Sequence, residues 1–301
     1  MLVALTGCSG FIGSYTAAAL KRQGHAVRGL VRKTSRRDHL NGVVDQFIVG
    51  DQGDDAVLNE LVKGVDAVIH NSVNWQTRSD PIANFNSNLL GSLKLLELTR
   101  IAGIKQFIFV SSVAAISEIS DDWNGLIDET HPTWPGSLYG AYKAAMEAHI
   151  KAYHHAFKMN TSAWRPAAVY GVAPEVQRSQ WIGIVHDVID NQPIDMPKGG
   201  KITHVQDVAD ALALAVGDET VAGQLYTIVD RYIYWQEVAK IAKDLTGSQS
   251  VITDRIGSGP KNQFDCRKAI AFFDRHNRPK ALRRGIDGVR EYVAALLEKK
   301  A

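Results

Sequence analysis

The segment Thr6-Gly7-Cys8-Ser9-Gly10-Phe11-Ile12-Gly13 limits what this chain can fold into more than any other stretch. It follows at once on a short apolar run, Met1–Leu5, and leads into the Ala-rich stretch Ser14–Gln23, which stops at Gly24. Glycines at this spacing, between a strand and a helix, each have a physical reading. Gly7 permits a tight turn, Gly10 lets the backbone approach a bound pyrophosphate, and Gly13 lets the helix pack close on the strand. Free N–H groups at the helix start, with the positive end of its dipole, then face the phosphates. The loop predicts a dinucleotide held by backbone around Ser9, Phe11 and Ile12 as well as the glycines.

Beyond the loop, strand and helix patterns alternate. Ala26–Val31, Asp45–Val49, Val65–His70, Gln106–Val110 and Thr161–Trp164 read as strands, and Asp54–Lys63, Phe85–Ala102 and Tyr139–Lys158 as helices. Strands alternating with helices of this length give a parallel sheet wound on both faces. The apolar, β-branched runs DAVIH and FIFV suit strands buried on both sides. The expected class is therefore α/β, a doubly wound parallel sheet. After Ser112 a loop with Asp121, Asp122, Asp128, Pro132 and Pro135 interrupts the pattern. Past Gly171 the alternation is irregular: Trp181–Asn191, Val205–Val216, Trp235–Thr246 and Ile286–Lys299 read as helices and Leu225–Val229 as a strand. A seam is expected near Gly171.

Composition excludes several classes. Lys and Arg number 34 against 32 Asp and Glu, a net charge of +2 that gives no general pull towards nucleic acid or an anionic membrane. No window approaches about 18 uninterrupted apolar residues, the length that spans a bilayer. The start lacks the marks of a signal peptide, so a cytoplasmic location is expected. Two cysteines, Cys8 and Cys266, make neither a disulfide framework nor a zinc site.

The second strand bears on which dinucleotide is bound. An acidic residue at its end would hydrogen-bond the ribose 2′-OH of NAD. Here the strand closes as Gly29-Leu30-Val31-Arg32-Lys33, with no carboxylate. Arg32 is placed to grip a 2′-phosphate with a charge-assisted fork, and Lys33, Arg36 and Arg37 add positive field. NADP is the expected cofactor, with NAD the alternative.

Tyr139 and Lys143 form a Y-x-x-x-K on one face of a helix. A free phenol, with a pKa of about 10, is a poor acid or base at neutral pH; a neighbouring ammonium and a cationic nicotinamide would lower it. Ser111 and Ser112 close the strand Phe107–Val110, at the edge where doubly wound sheets bind ligands.

With these motifs in hand, the sequence resembles the extended short-chain dehydrogenase/reductase superfamily, the NAD(P)-dependent epimerase/dehydratase family. The resemblance covers most of the chain. It rests on TGCSGFIG, Asp51 after the third strand, DAVIH, NLLGSLKLLEL from Asn88, FIFVSS, YGAYK, RPAAVYG at 165–171 and HVQDVADA at 204–211. It implies a Rossmann fold with a smaller C-terminal substrate lobe: residues 1–170, with 203–230 returning, bind the dinucleotide, and 171–202 with 231–301 form the lobe. It implies Ser112, Tyr139 and Lys143 as the catalytic set. Asp51 and Gln52 would lie near the adenine, and Asn71, Ser72 and Val73 along the pyrophosphate and ribose. Pro166 and Val169 would lie beside the nicotinamide, with Asn88 also among the cofactor contacts. It further implies a homodimer through the helices Asn88–Ala102 and Tyr139–Lys158, with Leu89, Leu93, Leu96, Ala144, Ala148 and Ala152 at the contact.

Departures narrow the choice. Many nucleotide-sugar enzymes of the family carry Asn where this chain has Ala168, and an Arg shortly before HVxD where it reads PKGGKITHV. A diphosphate substrate wants several cationic or amide donors; Arg178, Lys198 and Lys201 could substitute. PKGGKITHVQDVADA and YWQEVAKIAKDLTG look more like the dihydroflavonol-reductase-like branch, whose members reduce ketones or aldehydes with NADPH. The leading expectation is therefore NADPH-dependent carbonyl reduction with Tyr139 as general acid. The alternatives are a nucleotide-sugar epimerase or dehydratase, and a cofactor-sensing protein without catalysis.

Other residues weigh less. His149, His154 and His155 lack the i, i+4 spacing of a zinc helix, so no metal is expected. His70 reads as a structural histidine and Cys8 as a small filler of a tight turn. Arg275, Lys280, Arg283, Arg284 and Arg290, in a helical region, read as a solvated face or a docking patch. Trp75, Trp123, Trp134 and Trp181 read as pocket wall or as packing.

Overall fold

The computed structural model describes residues 1–77, 79–116, 125–260 and 262–300, the side chain of Lys300 apart. The strands, in chain order, are β1 (Leu2–Thr6), β2 (Ala26–Val31), β3 (Gln46–Val49), β4 (Ala67–His70), β5 (Gln106–Val110) and β6 (Leu126–Ile127). After them come β7 (Asn160–Pro166), β8 (Ala168–Tyr170), β9 (Gly199–His204), β10 (Gln224–Ile228), β11 (Arg231–Tyr234) and β12 (Gln263–Phe264). The helices are α1 (Phe11–Arg22), α2 (Asp55–Val62), α3 (Pro81–Asn84), α4 (Gly91–Ile101) and α5 (Leu138–Phe157). They continue with α6 (Ile182–Ile189), α7 (Val205–Leu214), α8 (Trp235–Thr246), α9 (Arg267–Arg275) and α10 (Gly285–Lys300).

Seven strands form one sheet in the order β10-β7-β5-β4-β1-β2-β3, and every neighbouring pair is parallel. From β1 the chain winds out to β3, then crosses back to β4 and on to β10. This is the doubly wound α/β architecture, and its winding direction reverses between β1 and β4. In such sheets the loops part at the reversal and leave a crevice beyond the strand ends.

Both faces of the sheet are covered. Leu20 of α1, Leu212 of α7 and Phe272 of α9 belong to the core on one side. Leu58 of α2, Leu96 of α4 and Met146 of α5 belong to the core on the other. A third core draws on separate stretches of chain, with Tyr170, Trp181, Ile202, Ile233, Val238 and Val293 among its members. It lies with the small sheet β11-β9-β8, in which β9 pairs parallel to β8 and antiparallel to β11.

The structure departs from the sequence expectations in three places. The helix expected over Phe85–Ala102 begins earlier, at α3, where Pro81 takes the first turn and the Asp80 side chain caps Ala83 N. Its middle, Phe85–Leu90, is a π-helical stretch before α4. The small sheet and α9 were not anticipated, because β8, β9 and β11 are short and meet only through tertiary contact. The basic segment Arg275–Arg290, expected in a helical region, is helical only at its ends: α9 ends at Arg275 and α10 begins at Gly285.

Candidate active site

A cleft of about 540 Å³ opens over the C-terminal ends of β1, β2, β4, β5 and β7. The glycine loop floors it. A Cβ on Gly13 would lie 2.0 Å from the Gly7 carbonyl oxygen, so only glycine lets α1 start this close to the loop. The N-cap of α1, Gly10, carries no side-chain cap, and no acidic residue sits in the first turn. That helix end therefore presents donors suited to an anion.

Helix α5 brings Tyr139 and Lys143, the side chains expected to react, to the cleft. Ser137 caps it, accepting from Gly140 N at 3.1 Å. Gly140 packs so tightly on the turn after β5 that a Cβ there would meet the Ala114 carbonyl oxygen at 2.3 Å. This contact sets Tyr139 beside Ser112, whose hydroxyl lies near enough to act on the phenol. Burial pushes the Tyr139 phenol above its ordinary pKa, and the Ser112 hydroxyl opposes that rise. Ser112 Oγ also accepts from Ala114 N at 3.1 Å.

Lys143, one turn on, is 1% exposed. Its Nζ donates to the Val110 carbonyl oxygen at 2.5 Å and lies 5.5 Å from the centre of the Tyr139 ring. Desolvation lowers its pKa from 10.5 to about 7, with the Glu147 charge pulling it back up. Glu147 accepts from Ser111 Oγ at 2.6 Å and pairs with Arg165 through two bonds of 2.6 and 2.7 Å. The two serines that end β5 thus diverge: the Ser111 hydroxyl is committed to Glu147, and that of Ser112 serves the cleft. Sequence reasoning passed over Glu147, although its i+4 spacing from Lys143 marks the same helical face.

Of the residues expected to bind cofactor, Gly7, Ser9, Gly10, Phe11, Ile12, Arg32, Asp51, Gln52, Asn71, Ser72, Val73, Pro166 and Val169 line the cleft. Ser112, Tyr139 and Lys143 line it with them. Arg32 is exposed, and its guanidinium has no hydrogen-bond partner among the described residues. Gln52 Nε2 donates to the Ser87 carbonyl at 3.1 Å, while its buried Oε1 has no partner among the described residues. Three expected contacts are not in the wall. Gly13 lies beneath the loop, and Lys33 is exposed outside the cleft. Asn88 sits one layer back, because its carboxamide is spent on the Asn74 backbone, accepting from N at 2.7 Å and donating to O at 3.1 Å.

The remaining expectations sort themselves by burial. His70 is buried, with Nδ1 bonded to Thr6 Oγ1 at 2.8 Å and Nε2 to Ser92 Oγ at 2.7 Å. Cys8 is buried, and desolvation pushes its thiol up to about 12. It fills the turn and is not activated. Trp181 lies in the third core, Trp134 meets His131 edge-on, and Trp123 falls outside the described residues, as do Asp121 and Asp122. Trp75 lines the cleft. In the basic segment, Arg283 pairs with Asp274, Arg284 with Asp207 and Arg290 with Asp244. Arg275 bonds Thr220. Most of that charge is neutralised within the chain.

Residues 3–228 match the family model described as NAD dependent epimerase/dehydratase family. A putative dihydroflavonol 4-reductase of Synechocystis sp. is 34% identical over 140 residues, which span 46% of this chain and 40% of that protein. A putative UDP-glucose 4-epimerase of Methanocaldococcus jannaschii is 28% identical, covering 89% of this chain and 96% of the relative. The crystal structure of Thermus thermophilus UDP-glucose 4-epimerase in complex with NAD superposes with a TM-score of 0.78 at 25% identity. That match covers 98% of this chain and 99% of the other.

Proposed function

The chain belongs to the NAD dependent epimerase/dehydratase family, and on that premise we propose that this enzyme reduces a ketone or aldehyde with NADPH. One observation carries the choice of a carbonyl substrate over a nucleotide sugar. On the substrate side, among the described residues, the cleft wall offers Trp75, Ala167 and Val169 with a single cation, Arg178, which is paired with Glu175 at 2.8 Å. A diphosphate is poorly served by one engaged guanidinium.

The residues present suit a nicotinamide dinucleotide. The uncapped start of α1 would take the pyrophosphate, and the unengaged Arg32 guanidinium a 2′-phosphate. Gln52 Oε1, a buried acceptor without a partner among the described residues, would serve the adenine end. Lys143 would hold the nicotinamide ribose. When bound, the nicotinamide supplies the hydride that reduces a carbonyl carbon. Ser112 hydrogen-bonds the carbonyl oxygen as charge builds on it, and Tyr139 gives that oxygen its proton. The Lys143 ammonium favours loss of the phenolic proton by stabilising the phenolate charge. Residues 171–202 and 231–301 act as the substrate lobe, a reading supported by their share of the third core.

A second reading, UDP-glucose 4-epimerisation, draws support from the two epimerases matched over nearly the whole chain. There the cofactor is regenerated within each turnover. One assay separates them: NADPH oxidation with a panel of aldehydes and ketones, beside conversion of UDP-glucose to UDP-galactose. Carbonyl-dependent NADPH consumption is expected. UDP-galactose formation without net cofactor change, and no reduction of any carbonyl, replaces the first reading by the second.

We also propose a homodimer through α4 and α5. Ala148 and Ala152 are exposed there, and Leu89, Leu93 and Ala144 half-buried. Leu96 is wholly enclosed in the chain's own core and cannot contribute. Light scattering at tens of micromolar protein tests it, a monomer being the contrary result.

A further inference from the structure

Trp75 stands in an unusual place for a large apolar side chain. It opens the single 3-10 turn Trp75–Thr77 in the loop that leaves β4. Its ring centre lies 4.7 Å from that of Tyr139, with the planes 33° apart. Yet Trp75 remains 56% exposed, and none of the hydrophobic clusters includes it. Tryptophan is highly buried on average. This one leaves much of its surface open to the cleft it lines.

The loop beneath it is firmly held. Asn88 bonds both the N–H and the carbonyl of Asn74, the residue before Trp75. Gln76 N donates to Asn74 Oδ1 at 3.1 Å, and Thr77 Oγ1 donates to the Asn74 carbonyl at 3.0 Å. Asn88 and Ser87, which meets Thr77 Oγ1 at 3.2 Å, both come from the π-helical stretch Phe85–Leu90. Such wide turns are rare inside helices and concentrate at functional sites. Here the wide turn aims side chains at the loop and fixes an exposed aromatic plane beside the reactive phenol.

We infer that Trp75 is a specificity-determining platform for a flat apolar ring borne directly on the reacting carbonyl, so that the preferred substrates are aryl ketones or aldehydes. An indole offers one N–H and otherwise a broad π surface. Because Trp75 packs on the ring of Tyr139 itself, a group lying on it adjoins an oxygen bonded to the Tyr139 hydroxyl. Ala167 and Val169 add apolar surface to the same cleft. The inference rests on the carbonyl-reduction reading, and its test measures binding apart from turnover.

The probes are acetophenone and butan-2-one, titrated by calorimetry into NADP⁺-loaded wild type, Trp75→Ala and Trp75→Phe, with NADPH oxidation followed in parallel. Wild type should bind acetophenone more tightly than butan-2-one. Trp75→Ala should weaken acetophenone about three- to tenfold, the range for loss of one aromatic pair. Trp75→Phe should keep most of the preference, and butan-2-one and NADP⁺ should bind all three proteins alike. The inference is overturned if wild type shows no preference, if Trp75→Ala binds acetophenone as wild type does, or if both probes or NADP⁺ weaken together. A binding preference upholds the platform, and carbonyl reduction is sunk only if the wider panel of aldehydes and ketones also leaves NADPH unoxidised. Equal reduction of both probes by wild type and Trp75→Ala sinks the platform and upholds carbonyl reduction.

Discussion

Arg165 and Glu147 meet in a two-pronged ion pair, 2.6 and 2.7 Å long, whose side chains are 1% and 3% exposed. The pair ties β7 to α5 directly behind the site, and Glu147 also holds Ser111. Removing one partner leaves the other charge buried and uncompensated, at a cost of about 3–5 kcal/mol. Glu147→Ala should therefore lower stability by about that amount. The double variant Glu147→Ala/Arg165→Met should lose less than the sum of the single losses. Urea unfolding of the four proteins checks this, and additive losses would contradict it.

Tyr139→Phe removes the phenolic proton and keeps the ring. Turnover of a confirmed substrate should fall about 10²–10⁴-fold, while fluorescence titration finds cofactor affinity unchanged. Lys143→Ala should lower both quantities, and Ser112→Ala chiefly turnover. The losses should be strongly non-additive, since the three groups serve one transition state. Near-wild-type turnover in Tyr139→Phe would falsify the assignment.

Arg32→Ala should weaken NADPH by about 1.5–3 kcal/mol, the worth of a charged hydrogen bond, and leave NADH nearly untouched. Tighter binding of NADH than NADPH by the wild type, or equal loss of both in the variant, contradicts the phosphate role.

Burial holds His70 neutral, with its pKa lowered from 6.5 to about 3. The unfolded chain then binds one more proton between those values, so stability falls as pH drops from 6.5 towards 3, by up to about 1.4 kcal/mol per unit. His204, also lowered to about 3 by burial, acts in the same direction. Lys143 carries the same sign into a higher window: with a folded pKa of about 7, its contribution to stability rises from there towards 10.5. Denaturation midpoints at pH 7 and pH 5 should differ less in His70→Gln than in wild type. An unchanged difference would show that His70 does not titrate as stated.

The glycine loop, the sheet and Y-x-x-x-K were legible because each depends on neighbours close in sequence. The helix at Trp235–Thr246 was read to the residue for the same reason. The small sheet was not, since Ala168–Tyr170, Gly199–His204 and Arg231–Tyr234 have no value as strands until they meet. The π-helical turn depends on Asn88 finding Asn74, and the helical pattern of NLLGSLKLLEL hides it. Arg165 was quoted within a motif, but its partner could be known only once β7 lay against α5.

The third core draws on the stretches 170–202, 233–242 and 289–296, with β10 and α9 of the main body threaded between them. Anyone wishing to graft this third core onto a relative therefore has no single cassette to move. A chimera needs several junctions, near 168, 204, 230 and 285, and each falls beside a strand or helix end. Recombination by one crossover should yield mostly insoluble protein, whereas substitutions at cleft-wall positions such as Trp75 leave that interleaving intact.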